Sequence, residues 1–366
     1  MEFSVHPKIV GFPDLQAFFG DVKIGEGDLL ITNEVILSPH ADADTLPCTV
    51  LFQERFGAGE PTDEMADAML ESVRGRDFKR IFAIGGGTVI DISKIFVFGT
   101  GYTVREIYER GAQLPKVSEL YCVPTTSGTG SEVTGLISIG FVKEHKKIGL
   151  ALPAFFADVA VLVAPLMKNL PYPVFCYSAV DAMIHAMEAH VSPRANLFTR
   201  ACGTAAIETL IAAFIQMDGK RELPEDLEAC LAASSLAGIA FGNAGCAAVH
   251  ALSYSIAGTY HVAHGRANYL VLSGTFAMYR KLGADLSPLE KVLRDALGCT
   301  QEEVWRRLDA LLDRMIPLKP LSTLGVTKSD CADFAEAVIK NQQRLMVNNP
   351  VELTWDNVRE IYENLL

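Results

Sequence analysis

The amino-acid sequence predicts an α/β domain over residues 1–168 and an all-helical domain over residues 169–366. Three observations predict it. Short β-rich runs recur through the first half, and helical patterns separate several of them, as in parallel sheets with crossover helices. The β-rich runs stop after "LPYP" (170–173). Beyond it, long segments rich in Ala, Leu and Ile follow, broken by Pro and Gly.

In chain order, the expected strands are "DLLIT" (28–32), "TVLF" (49–52), "RIFAI" (80–84), "ELYCV" (119–123) and "VAVLV" (159–163). "TDEMADAMLESV" (62–73) has a helical pattern. The stretch 136–152 reads as two strands around a charged turn, a hairpin inserted in the α/β domain. The helical segments expected next are 174–191, 195–216, 224–240, 265–282, 287–297, 301–315 and 327–344, with Ser192-Pro193 and Leu223-Pro224 as punctuation.

Composition narrows the function. A net charge of −12 argues against a general nucleic-acid binder, which needs clustered Lys and Arg. No run of about 18 uninterrupted apolar residues predicts a membrane span, and the first residues show no signal-peptide pattern. The eight cysteines form no C-x-x-C pair, so they are expected to be free thiols in a reducing cytoplasm. The partner expected is a small molecule.

Two glycine-rich turns each follow a strand. In "RIFAIGGGTVIDISKIF" (80–96), the glycines permit a tight turn and close backbone approach. The helix start behind them offers free N–H groups suited to a pyrophosphate. The pattern is not G-x-G-x-x-G, and a lone glycine turn is often only a turn. In "YCVPTTSGTGSEVT" (121–134), hydroxyls stand beside glycines; they can serve a cofactor or simply cap a helix. Two such turns in one α/β domain favour a nucleotide site outside the carboxyl ends of the strands.

The helical half holds a candidate metal set. Asp181 and His185 lie four residues apart on one helix face, among apolar neighbours. A buried carboxylate needs a partner, and the plain alternative is a hydrogen-bonded Asp–His pair. On this reading Glu188 and His190 occupy other faces. His250 begins a short helix with Tyr254 one turn later, and Gly258 is expected to break it. His261 and His264 follow. Asp181, His185 and two of these three histidines would suit a divalent first-row ion such as iron or zinc. Spacing alone does not choose between His261 and His264.

At these residues the chain resembles the iron-containing (group III) alcohol dehydrogenases, over essentially its whole length. The motifs are "GGGTVIDISK" (85–94), "PTTSGTGSEVT" (124–134), "DAMIHAMEAH" (181–190) and "HALSYSIAGTYHVAHG" (250–265). The resemblance implies a dehydroquinate synthase-like fold, with an α/β dinucleotide-binding domain and a helical metal-binding domain. It implies metal ligands at Asp181, His185, His250 and His264, with Fe2+ (or Zn2+) and NAD as cofactors. It implies dinucleotide contacts at Gly86, Gly87, Thr88, Thr125, Thr126, Thr134 and Lys147, and a homo-oligomer. His261, left without metal, is suggested as a substrate contact or proton-relay member. Two departures stand out. Tyr254 replaces a histidine found in many members, and a phenol titrates far above imidazole. Asn33 replaces an aspartate that would exclude a 2′-phosphate, so NAD preference needs another source; Glu60 is a candidate.

Within the family, "LLITNEVIL" (29–37), "FGAGEPTDEM" (56–65), "GIAFGNAG" (238–245) and "NQQRLMVNNP" (341–350) resemble members that interconvert 4-hydroxybutyrate and succinic semialdehyde. Such a substrate needs a cation for its carboxylate, and Arg344 is the candidate; a salt bridge is the plain alternative. The rivals are a dehydrogenase of simple alcohols or diols, a synthase of the dehydroquinate type, and a non-catalytic metal and nucleotide binder.

Overall fold

The computed structural model describes residues 3–144 and 146–366. It divides into two compact units, one over Val5–Leu170 and one over Pro171–Leu366 with the first residues of the chain. Residues 3 and 4 are tied to the helical unit. The Ser4 N–H donates to Asn243 Oδ1 (2.8 Å), Asn243 Nδ2 donates to the Ser4 carbonyl (3.0 Å), and the Phe3 ring stacks on Phe198.

The first unit is built on a six-stranded parallel sheet. Its strands are β1 (Lys8–Gly11), β2 (Asp28–Thr32), β3 (Thr49–Phe52), β4 (Arg80–Gly85) and β5 (Glu119–Pro124). A two-stranded hairpin follows, β6 (Leu136–Phe141) and β7 (Lys146–Ala151), and β8 (Val159–Leu162) returns to the main sheet. The order is β1-β8-β5-β4-β2-β3, and every pair is parallel. The apolar runs of the central strands are continuous because both faces are covered. Side chains alternate between the faces. Leu29, Ile31, Ile81 and Ala83 enter one core, while Leu30, Phe82 and Ile84 enter the other. The five strands read from sequence are present. β1 is additional: four residues, mostly exposed, paired only with β8.

A parallel sheet gathers all its carboxyl ends on one edge. Gly85 and Pro124, the last residues of β4 and β5, lie in register there. Both glycine-rich turns therefore leave the sheet side by side.

The second unit is helical throughout. The Tyr172–Val191 helix is its axis, with every residue from Ala179 to His190 buried. Against it pack Leu197–Met217, Leu227–Ala244, His264–Lys281 and Ser287–Leu297. Leu197–Met217 and Leu227–Ala244 have the length and composition of membrane spans, yet both bury much of that stretch inside the unit, as core helices do. The helix over Ala248–Tyr260 runs through Gly258, contrary to the expected break. A helix tolerates a single glycine at a cost of ~1 kcal/mol. The helix ends at His261, whose φ of 52° is left-handed.

Candidate active site

The sheet edge explains why glycine is needed at these turns. A Cβ on Gly85 would lie 2.6 Å from the Val89 side chain, and one on Gly87 would lie 2.6 Å from Thr129 Cγ2. The second turn lies against the first so closely that Gly87 leaves no room for a side chain. Gly86 caps the Gly87–Ile95 helix with no side chain in the way, so the first N–H groups of that helix face outward, the arrangement that suits a phosphate. The Thr125 N–H donates to the Gly85 carbonyl (3.1 Å), and Thr88 Oγ1 donates to the Gly59 carbonyl (3.0 Å).

A buried lysine fastens the turns together. Lys94 is fully buried on the Gly87–Ile95 helix. Its Nζ donates to Ser131 Oγ (2.7 Å) and the Leu136 carbonyl (2.7 Å), with Thr134 Oγ1 at 3.5 Å. Burial pushes the ammonium pKa down, and Asp91 opposes that. Asp91 in turn accepts from Ser131 Oγ and from the Ser138 N–H (3.0 Å).

Asn33 follows β2 on the same edge. Its Nδ2 donates to Glu54 Oε2 (2.8 Å) and Gln53 Oε1 (3.2 Å), and Glu54 Oε1 accepts from the Glu34 N–H (2.6 Å). A carboxylate therefore stands beside the asparagine after all, supplied from the end of β3. Glu60, the candidate offered by sequence, is engaged elsewhere. Its Oε2 accepts from Lys147 Nζ at 2.6 Å, so Lys147 stands as half of an ion pair.

In the helical unit three elements bring the candidate ligands together. Asp181 and His185 come from the Tyr172–Val191 helix, His250 from Ala248–Tyr260, and His264 from the first position of His264–Lys281. His250 Nε2 lies 3.6 Å from Asp181 Oδ1, and His264 Nε2 lies 4.0 Å from the same oxygen. The His185 ring stacks on His250 with centroids 4.4 Å apart, and Phe241 lies 4.2 Å from the His185 ring. Asp181, His250 and His264 each offer a ligand atom within 4.8 Å of the others. His185 and His250 do the same with Cys246.

Gly265 makes the approach of His264 possible. A Cβ there would lie 2.4 Å from the Tyr177 carbonyl oxygen and 3.3 Å from Asp181 Cβ. Only glycine lets the two helices come this close.

Three residues that the sequence reading did not place at the site complete it. Glu188 is fully buried and accepts three hydrogen bonds, from the Ala247 N–H (2.9 Å), the Val249 N–H (2.6 Å) and His250 Nδ1 (2.6 Å). Its expected position on another helix face is wrong. Seven residues turn a helix about 700°, within ~20° of two full turns, so Asp181, His185 and Glu188 share a stripe. Asn268, one turn after His264, donates from Nδ2 to Asp181 Oδ1 (2.6 Å). Cys246, read from sequence as an ordinary buried thiol, lies in the cluster.

The electrostatics follow from this crowding. Burial raises the Asp181 carboxyl pKa, but the imidazoles of His185, His264 and His250 and the Asn268 amide outweigh it, leaving it below the ordinary range. Burial lowers the His250 pKa, but Cys246 and Glu188 outweigh it and push it well up. Burial alone would raise the Cys246 thiol, yet His250 and His185 bring it down. Buried Cys122 and Cys230, without such neighbours, rise to about 12.

The donor set fits a divalent cation. With Nδ1–H donating to Glu188, Nε2 is the His250 nitrogen left for a cation, which would displace the proton that Cys246 and Glu188 otherwise favour there. That atom and His185 Nδ1 are buried with no hydrogen-bond partner among the described residues. Buried imidazole nitrogens without partners are costly, and a metal ion satisfies them.

The remaining candidates lie at varied distances from this centre. The half-buried Tyr254 ring has its centroid 5.9 Å from that of His264. His261 is exposed at the end of its helix and outside the cluster. Arg344 is exposed on the short Gln343–Met346 helix. One turn later, Asn348 Nδ2 donates to the Cys246 carbonyl (2.9 Å), which pins that segment to the edge of the cluster.

Family models match both parts of the chain. "Iron-containing alcohol dehydrogenase" matches residues 40–164, and "Fe-containing alcohol dehydrogenase family, C-terminal" matches residues 175–366. The chain is 39% identical to 4-hydroxybutyrate dehydrogenase of Clostridium kluyveri, over 98% of each chain. It is 29% identical to long-chain-alcohol dehydrogenase 1 of Geobacillus thermodenitrificans, over 97% of this chain and 93% of that one. Its fold is similar to that of sulfoacetaldehyde reductase from Bifidobacterium kashiwanohense, solved with NAD+. The TM-score is 0.85 at 21% identity, covering 100% of this chain and 98% of the other.

Proposed function

Since the chain belongs to the iron-containing alcohol dehydrogenase family, we propose that it interconverts 4-hydroxybutyrate and succinic semialdehyde by hydride transfer with NAD(H). One observation supports the reaction class: imidazoles from two helices, His250 and His264, converge on one oxygen of the buried Asp181 carboxylate of a third. The substrate rests on the relative that shares 39% identity over nearly the full length.

Asp181, His185, His250 and His264 would hold the divalent ion, iron or zinc, which would supply Lewis acidity, and bound NAD would supply the hydride acceptor. Glu188 fixes the tautomer and direction of His250, and Asn268 orients Asp181. Gly86, Gly87 and Thr88 present backbone N–H groups to the pyrophosphate. Thr125, Thr126 and Thr134 offer hydroxyls from the neighbouring turn, and Lys147 acts there through its pair with Glu60. Glu54, held by Asn33, places negative charge where a 2′-phosphate would lie, which favours NAD over NADP. Tyr254, one turn after His250 and with its ring 5.9 Å from that of His264, offers a phenol hydroxyl for hydrogen bonding beside the cluster. His261, in contact with solvent, exchanges the proton. Arg344 receives the substrate carboxylate.

The test is NADH-dependent reduction of succinic semialdehyde and of butanal, an uncharged aldehyde of equal length, after anaerobic Fe2+ reconstitution. A charge-assisted pair contributes ~1.5–3 kcal/mol, so kcat/KM should favour the acid by about ten-fold or more. Arg344→Ala should erase that preference through KM. Equal turnover of both aldehydes by the unaltered enzyme would point instead to a dehydrogenase of simple alcohols.

A further inference from the structure

We propose that Cys246 is a thiolate ligand of the same centre, bound to the cation together with His185 and His250, and that it makes this chain select a thiophilic ion of the zinc class over ferrous iron. The proposal rests on the reading of the buried cluster as a metal site and adds a donor to it.

The geometry comes first. His185, Cys246 and His250 are all buried, and each offers a ligand atom within 4.8 Å of the other two. His250 belongs equally to the set with Asp181 and His264. The two sets meet at His250, so a cation held by one imidazole borders both. Two of its nitrogens, His185 Nδ1 and His250 Nε2, are buried without hydrogen-bond partners. Among the described residues, none of the other seven cysteines joins such a group.

The thiol is also held in place. Gly245 before it has a φ of +86°, and a Cβ there would lie 2.4 Å from Asn348 Nδ2. That amide donates to the Cys246 carbonyl, and the next N–H, that of Ala247, donates to Glu188. Clamps on both sides fix the backbone that carries the buried thiol. The glycine, the asparagine and the glutamate thus set the direction of the cysteine.

The chemistry decides the metal. Imidazole and carboxylate ligands serve iron and zinc alike, whereas a thiolate shifts preference toward the softer ion. On binding, the S–H proton leaves to solvent and a metal–sulfur bond forms in its place.

Spectroscopy of the full-length, metal-stripped protein titrated with Co2+ tests this. The unaltered protein should show visible d–d bands together with a near-ultraviolet thiolate-to-cobalt charge-transfer band. Cys246→Ser and Cys246→Ala should keep the first and lose the second, while Cys230→Ser keeps both. With zinc, X-ray absorption should give one sulfur neighbour at about 2.3 Å. The zinc-over-iron affinity ratio should fall roughly ten-fold or more in Cys246→Ser. Visible bands without charge transfer in the unaltered protein would overturn the thiolate alone. A protein that takes up no cobalt would overturn the metal-site reading and this proposal with it.

Discussion

Glu188→Gln tests whether the cluster depends on a residue that touches no substrate. The replacement keeps the side-chain volume. Glu188 Oε2 accepts from Ala247 N–H and His250 Nδ1, and Oε1 accepts from Val249 N–H. A glutamine can turn its carbonyl toward only one of these sides. With two donors on the Oε2 side, the amide NH2 faces Val249 N–H, two donors at a spacing of 2.6 Å. An unsatisfied buried donor costs ~1–3 kcal/mol, and the two remaining bonds lose their charge assistance. The expected loss is about 2–4 kcal/mol for the helical unit. Both tryptophans, Trp305 and Trp355, belong to that unit. Urea denaturation followed by tryptophan fluorescence therefore reads its stability directly. Because His250 loses its fixed tautomer, metal affinity should fall about 10–100-fold, measured by competition with a chromophoric chelator. A glutamine variant within ~0.5 kcal/mol of the parent, with unchanged affinity, would refute the reasoning.

Two further outcomes follow from the same unit. Gly265→Ala drives a methyl into the Tyr177 carbonyl, so the two helices must part. Overpacking of this kind costs ~1–3 kcal/mol, and metal retained after dialysis, measured by mass spectrometry, should drop sharply; full retention contradicts the packing argument. His190 is buried, and burial and then Arg200 lower its pKa from 6.5 to about 4. Below pH 6.5 the unfolded chain binds a proton that the folded one refuses. Its contribution, roughly 3 kcal/mol, is present above that pH and lost as pH falls toward 4. His190→Gln should flatten the denaturation midpoint across that window, and an unchanged slope would contradict a neutral buried imidazole.

The α/β unit was largely legible because its central strands are apolar on both faces and bounded by glycine and proline. β1 escaped notice because four mostly exposed residues carry too little pattern. Asp181 and His185 declared themselves by four-residue spacing on an apolar helix. Glu188, expected on another face, lies on the same stripe because seven residues bring a helix back to within ~20° of its starting face. Cys246 carries no sequence signal, because it forms no C-x-x-C pair and meets His185, sixty-one residues away, only in the folded unit. Choosing between His261 and His264 required the family resemblance, since the chain between Tyr260 and His264 is not helical. Asn268 was invisible in sequence: its role depends on where Gly265 lets the helix dock.

Lys94 ties the helix behind the first glycine turn to the strand that leaves the second. A body joined in this way cannot yield at one end alone. Substitutions in residues 85–88 and 125–134 will therefore fail to sum, and a double-mutant cycle between Gly87 and Thr129 should return a sizeable interaction energy. What look like two separate cradles for a dinucleotide form one thermodynamic unit, whose rigidity is set by an ammonium group that need not meet the ligand.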